Sequence, residues 1–188
     1  MKTIESSYYD QEYIQIVEEI LDHRDFQDMD SWIQHISTRR LSHCINVSFI
    51  SYKIAKFLHV DAASCARAGL LHDFCLYDFH DASHKHTKQL FVHPRVAAET
   101  ARKRFNLSDK ETRAILTHMF PFGPVPTSWT GWIVQLADKI CAVGEFASGV
   151  KDLFKVKILK NKKASENLAE YFKRKHEKKT RRIQDGRN

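Results

Sequence analysis

The sequence predicts an all-α protein with one core. Three observations carry this. Only 6 Gly and 4 Pro occur in 188 residues, too few to punctuate the many turns of an all-β fold. Apolar residues recur at three- and four-residue intervals through much of the chain. Hydrophobic residues make up 43% and charged residues 28%, the balance of a soluble globular domain, which excludes global disorder and collagen-like structure. The length suits one domain with a short appendage.

The elements follow in order. Residues 10–23 read as a helix with Ile14, Val17, Ile20 and Leu21 on one face. A short second helix is expected over 28–36 around Trp32, and a longer one over 41–59. Asp61 is placed to cap a helix over 62–72 that is rich in small residues. Residues 74–91 show no period, and a loop of that length in a compact domain is often functional. Pro94 suits the first turn of a helix over 94–105. Ser108 and Glu111 form an S-x-x-E capping box for 109–119. Pro121, Gly123, Pro124 and Pro126 then make a stiff loop, and Thr127 or Ser128 caps a helix running to about residue 147, where Trp129 and Trp132 are expected to pack the core. Residues 164–178 permit a helix whose apolar stripe is Leu168, Tyr171 and Phe172.

Charge divides the chain. Residues 151–188 hold 14 Lys and Arg against 5 Asp and Glu, a net of +9, while residues 1–150 hold 16 against 18, a net of −2. The expected organisation is therefore a domain over 1–150 and a basic C-terminal extension, helical or disordered, over 151–188. The tail could make weak contact with nucleic acid or an acidic surface. No apolar run reaches the roughly 18 residues that span a bilayer, and the N-terminus lacks a signal-peptide core. Cys44, Cys65, Cys75 and Cys141 form no C-x-x-C pair. They read as reduced, buried thiols, and the expected location is cytoplasmic.

A few polar residues stand on apolar helix faces. His43 shares a face with Val47, Ile50, Ile54 and Phe57. His72 and Asp73 end the next helix, and Gly69 and Cys65 leave that flank small enough for another helix to come close. Asp138 lies on the apolar face of the 129–147 helix. A buried ionised carboxylate costs several kcal/mol, on the order of 3 or more, unless it is paired or metal-bound. Taken singly, His43 reads as a satisfied core histidine and Asp138 as half of an ion pair with Lys139 or Glu145. Taken together, imidazoles and carboxylates from separate helices suit Mn, Fe, Zn or Ni better than Ca.

The ordered set SHCINVSF (His43), LLHDF (His72 and Asp73) and LADKICA (Asp138) resembles the HD superfamily of metal-dependent phosphohydrolases, over about residues 40–147. His93 in FVHPRVAAETA and His118 in ILTHMF extend the order. The chain is then similar to the six-ligand, dinuclear subgroup. The resemblance implies a helical HD-type bundle with His43, His72, Asp73, His93, His118 and Asp138 as metal ligands and Asp73 bridging two divalent ions. Fe or Mn is favoured, with Zn, Co, Ni or Mg open. It implies hydroxide attack on a phosphorylated small molecule, a nucleotide or a related phosphoester or phosphoanhydride. Dinucleoside tetraphosphate hydrolases share the size and ligand order. The GYP motif of cyclic-di-GMP phosphodiesterases is missing here.

Charge developing on phosphoryl oxygens calls for cations. Arg40, Arg95 and Lys139 are the candidates beside the ligands, so the expected catalytic set is Asp73, Lys139, Arg40 and Arg95. His80, His84 and His86 could move a proton or bind phosphate, or be ordinary loop residues. Two other readings remain open at this stage: a di-iron HD-type oxygenase, and a non-catalytic nucleotide- or nucleic-acid-binding HD protein.

Overall fold

The computed structural model describes residues 10–31, 33–35, 38–77, 89–147, 166–175 and 177. Among the described residues the regular structure is helical, apart from a small hairpin. In chain order the elements are α1 (Gln11–Leu21), α2 (Arg24–Gln27), a 3-10 turn (Asp28–Ser31), β1 (Ile33–His35), β2 (Thr38–Arg39), α3 (Arg40–Phe57), α4 (Ala62–Leu71), α5 (Gln89–Arg104), α6 (Asp109–Thr117) and α7 (Trp129–Ala147), followed by α8 over 166–175. Among the described residues no helix is long and apolar enough to cross a membrane.

Helix α3 is the axis of the bundle. Every residue from Arg40 to Phe49 is buried, polar ones included. Its largest packing partner is α4, and α7 and α1 complete the surround. The α3–α4 crossing is close because both surfaces are small there. A Cβ added to Gly69 would stand 3.0 Å from Ser48 Cα and 3.0 Å from Ser51 Oγ. Ser48 Oγ donates to the Ala66 carbonyl at 2.7 Å and accepts from Tyr13 OH at 3.0 Å, tying α1, α3 and α4 at one point.

The expected caps form. Asp61 accepts from Ser64 N at 2.9 Å to start α4. Ser108 and Glu111 close a reciprocal capping box on α6, and Ser128 Oγ accepts from Gly131 N at the start of α7. Leu168, Ala169 and Phe172 of α8 are buried in the same core as α1. Lys175 of that helix pairs with Glu18 at 2.8 Å. All four cysteines are buried, and none is in a disulfide.

The structure corrects four expectations. Residues 28–36 are not one helix. The Asp and Ser side chains at 28–31 favour a tight turn over a continuing helix, and Arg39 Nη1 reaches back to the Asp30 carbonyl (2.9 Å) and Oδ2 (3.0 Å), closing a hairpin in which Ile33 pairs with Arg39. Trp32 lies outside the described residues. Helix α5 begins at Gln89, so Pro94 is its sixth residue and not its first turn. A proline there removes one hydrogen bond near the helix start, a cost the packed helix absorbs. Phe57 is 81% exposed, beyond the point where α3 leaves the core. Trp129 and Trp132 are 67% and 41% exposed, because the buried side of α7 carries Ile133, Val134, Ala137 and Cys141.

Gly69→Ala tests the close crossing. The added methyl gains about 1 kcal/mol of helix propensity, but it meets backbone that cannot yield. The expected net effect is a loss of about 1–3 kcal/mol, read as a lower urea midpoint with an unchanged slope.

Candidate metal centre

Two helix ends use the same local device. His72 follows the last residue of α4, and His118 follows the last residue of α6. The last carbonyls of a helix lack intrahelical donors. His72 Nδ1 donates to the Gly69 carbonyl at 2.8 Å, and His118 Nδ1 donates to the Ile115 carbonyl at 2.7 Å. A carbonyl only accepts, so each ring commits its Nδ1 proton there and turns Nε2 inward. This is how a ligating histidine is oriented in metal sites.

Those Nε2 atoms meet four more groups. His43 comes from the first turn of α3, Asp73 follows His72, His93 comes from α5, and Asp138 comes from the middle of α7. All six side chains are at most 9% exposed. The Asp73 carboxylate faces two ways. Its Oδ2 lies 3.3 Å from His72 Nε2. Its Oδ1 lies 3.3 Å from His93 Nε2 and 3.5 Å from His118 Nε2. The two His Nε2 atoms on that second side are 3.0 Å apart. On the first side, Asp138 Oδ1 is 3.2 Å from His43 Nε2 and 3.6 Å from His72 Nε2.

These spacings fit a shared ion. Two donors about 2.0–2.2 Å from one ion and roughly 90–109° apart are about 3.0–3.5 Å from each other. His43, His72 and Asp73 form one group able to hold a metal, and Asp73, His93 and His118 form another. Neutral imidazoles and carboxylates are the donors such ions take.

The electrostatics lead to the same requirement. Burial alone would raise the Asp73 carboxyl, but the charge and hydrogen bond of His72, then the charges of His93 and His118, hold it well below the usual range. Burial likewise opposes ionisation of Asp138, and its hydrogen bonds with His43 and His72 outweigh that effect. Burial also disfavours charge on His72, yet Asp73 and Asp138 push its ring up to about 10, so its Nε2 takes a proton that a bound ion would displace. His118 is pushed down to about 3, by burial first and then by the charge on His72. Two buried anions thus demand a cation, a demand that a divalent ion meets directly.

The HD domain family profile matches residues 40–143, the span that contains all six side chains. The chain belongs to the HD domain family. Curated proteins and solved structures return no match. HD domains bind divalent metals and are in general metal-dependent phosphohydrolases, which sets the class of chemistry for this chain.

The three cations singled out in the sequence have different surroundings. Lys139 Nζ donates to Asp138 Oδ2 at 2.7 Å and also reaches the His118 carbonyl at 3.5 Å, with its side chain 37% exposed. Arg95 is 80% exposed and pairs with Glu99 one turn along α5. Arg40 is completely buried, and its Nη1 donates to the carbonyls of Cys75 (2.9 Å) and Tyr77 (2.8 Å). It ties the chain that leaves Asp73 to the start of α3. Its spacing from His43 suggested a substrate contact because position along a helix does not reveal which backbone carbonyls another segment presents. His80, His84 and His86 lie outside the described residues, as does the Glu145 side chain.

Sequence reasoning missed the carbonyls of Gly69 and Ile115. A histidine at the end of each predicted helix was the available signal. Cys44 and Cys75 also escaped notice as neighbours of Asp73. Their thiols are pushed up by burial first and by the Asp73 charge second.

Arg40→Met should cost about 2–4 kcal/mol, because it leaves two inward carbonyls without their donor. Arg40→Lys should recover part of that loss, since an ammonium lacks the planar fork. Denaturant unfolding of the two variants beside the parent protein measures the difference.

Proposed function

We propose that this protein is a dinuclear-metal phosphohydrolase acting on a nucleotide or a related phosphoester or phosphoanhydride. The observation that carries the reading is the division of the Asp73 carboxylate, with one oxygen toward His72 and the other toward His93 and His118. A carboxylate with separate donor groups on its two oxygens is suited to bridging two ions. His43, His72 and Asp138 would complete one ion's protein ligands, and His93 and His118 the other's. Bound there, a pair of divalent ions would polarise a phosphoryl group and bring a water's pKa toward neutrality.

The chain's own residues supply the remainder. Six protein groups leave positions open for substrate and water. His72 and His118 keep their Nε2 atoms aimed because their Nδ1 protons are committed to carbonyls. Lys139 is the cation suited to phosphoryl oxygens. It is part-exposed, and its partner Asp138 holds it at the edge of the cluster. Arg40 acts as a positioning residue, through its hold on the chain after Asp73. Nucleotides are the substrate class the ligand order favours, and Fe or Mn the metals.

Elemental analysis of protein purified without chelator or oxygen tests the proposal, together with a nucleotide hydrolysis panel. Two Fe or Mn ions per chain and phosphate release are expected. Asp73→Ala should lose both ions and lower turnover at least about 100-fold, since the shared ligand is gone. His118→Ala should lose about one ion per chain and keep the other. One ion in the parent protein would reduce the site to a mononuclear one. Substrate-dependent oxygen uptake without phosphate release would replace hydrolysis by oxygenation. Full turnover of Asp73→Ala would overturn the proposal.

A further inference from the structure

Helix α7 has two faces. The inner one carries Asp138 and the core residues Ile133, Val134 and Ala137. The outer one exposes Trp129 (67%), Trp132 (41%), Leu136 (49%), Ile140 (41%) and Val143 (67%). At 100° per residue these five fall within one stripe, on the opposite side of the helix from Asp138. Between Trp129 and Val143 the only charged residues are Asp138 and Lys139, and Asp138 is buried. The stripe runs four turns without an exposed acidic residue. Phe122 and Val125, in the loop leading into α7, are a further 60% and 57% exposed.

We propose that this face is where a second copy of the chain docks, with the two α7 helices antiparallel across a two-fold axis at Leu136. Three features select a copy of the same chain as the occupant. The first is spacing. The stripe positions lie seven and four residues before Leu136, at Leu136, and four and seven residues after it, so it reads the same from either end. An isologous interface requires a surface that is its own complement. The second is volume. The stripe is bulky at its start, with two tryptophans, and slim at its end, with Ile140 and Val143. Antiparallel pairing sets Trp129 of one copy against Val143 of the other, Trp132 against Ile140, and Leu136 against Leu136, which evens out the layers. Successive steps of three, four, four and three residues suit a shallow helix crossing. The third is area. The five side chains expose on the order of 500 Å2, the greater part of the roughly 800 Å2 per partner that a stable dimer buries.

Sedimentation velocity of the full-length, metal-loaded protein between 1 and 100 µM tests the proposal. The expected result is a species of twice the monomer mass at the upper concentrations. Leu136→Glu and Leu136→Lys each bring like charges together at the axis and should weaken association at least 100-fold, while far-UV circular dichroism and metal content stay unchanged. Mixing the two variants should restore a dimer, because the axis then joins opposite charges. A parent protein that is monomeric at 100 µM overturns the proposal. So does a dimer that survives Leu136→Glu, or a pair of folded variants that stay apart on mixing.

Discussion

Two carboxylates inside a helical core are the constraint that the rest of this molecule accommodates. Asp73 and Asp138 are removed from water, yet both are held ionised by imidazoles. A bundle that does this must bring four histidines to one point and fix the face each ring presents. The helix ends make it possible. Where α4 and α6 stop, unpaired carbonyls take up the Nδ1 protons of His72 and His118, so the last turn of each helix supplies both the ligand and the device that orients it.

That arrangement depends on backbone proximity as much as on chemistry. His72 can face His43 because α3 and α4 cross almost in backbone contact at Gly69 and Ser48. Gly69 therefore has two roles: it admits α3, and its carbonyl orients His72. The buried Arg40 secures the other side of the turn by holding the chain at Cys75 and Tyr77. Packing and site geometry share the same few residues, and a change at either position reaches both.

Most helices and their caps were legible because periodicity and capping are local. Asp61, Ser108 and Ser128 act within a turn of themselves, and the small flank around Gly69 announced a close neighbour. The order of His43, His72-Asp73, His93, His118 and Asp138 pointed to six side chains that the fold gathers together. What was not legible depended on distant partners. The guanidinium of Arg40 finds carbonyls some 35 positions away. The early start of α5 shows that one proline is a weak marker of where a helix begins once the surrounding helix is packed. Trp129 and Trp132 look like core residues by composition, and only the position of α7 at the edge of the bundle reveals their exposure.

The reach of the cluster along the chain has a consequence of its own. His43 and Asp138 are 95 residues apart, and the groups between them come from α4, α5 and α6. An ion held by such a set closes several long loops at once, as a covalent cross-link would. It binds the folded chain and not the unfolded one, so its concentration becomes a variable of the folding equilibrium. For a protein so arranged, thermal stability would rise with metal supply, and starving it of metal would act on its lifetime as well as its activity.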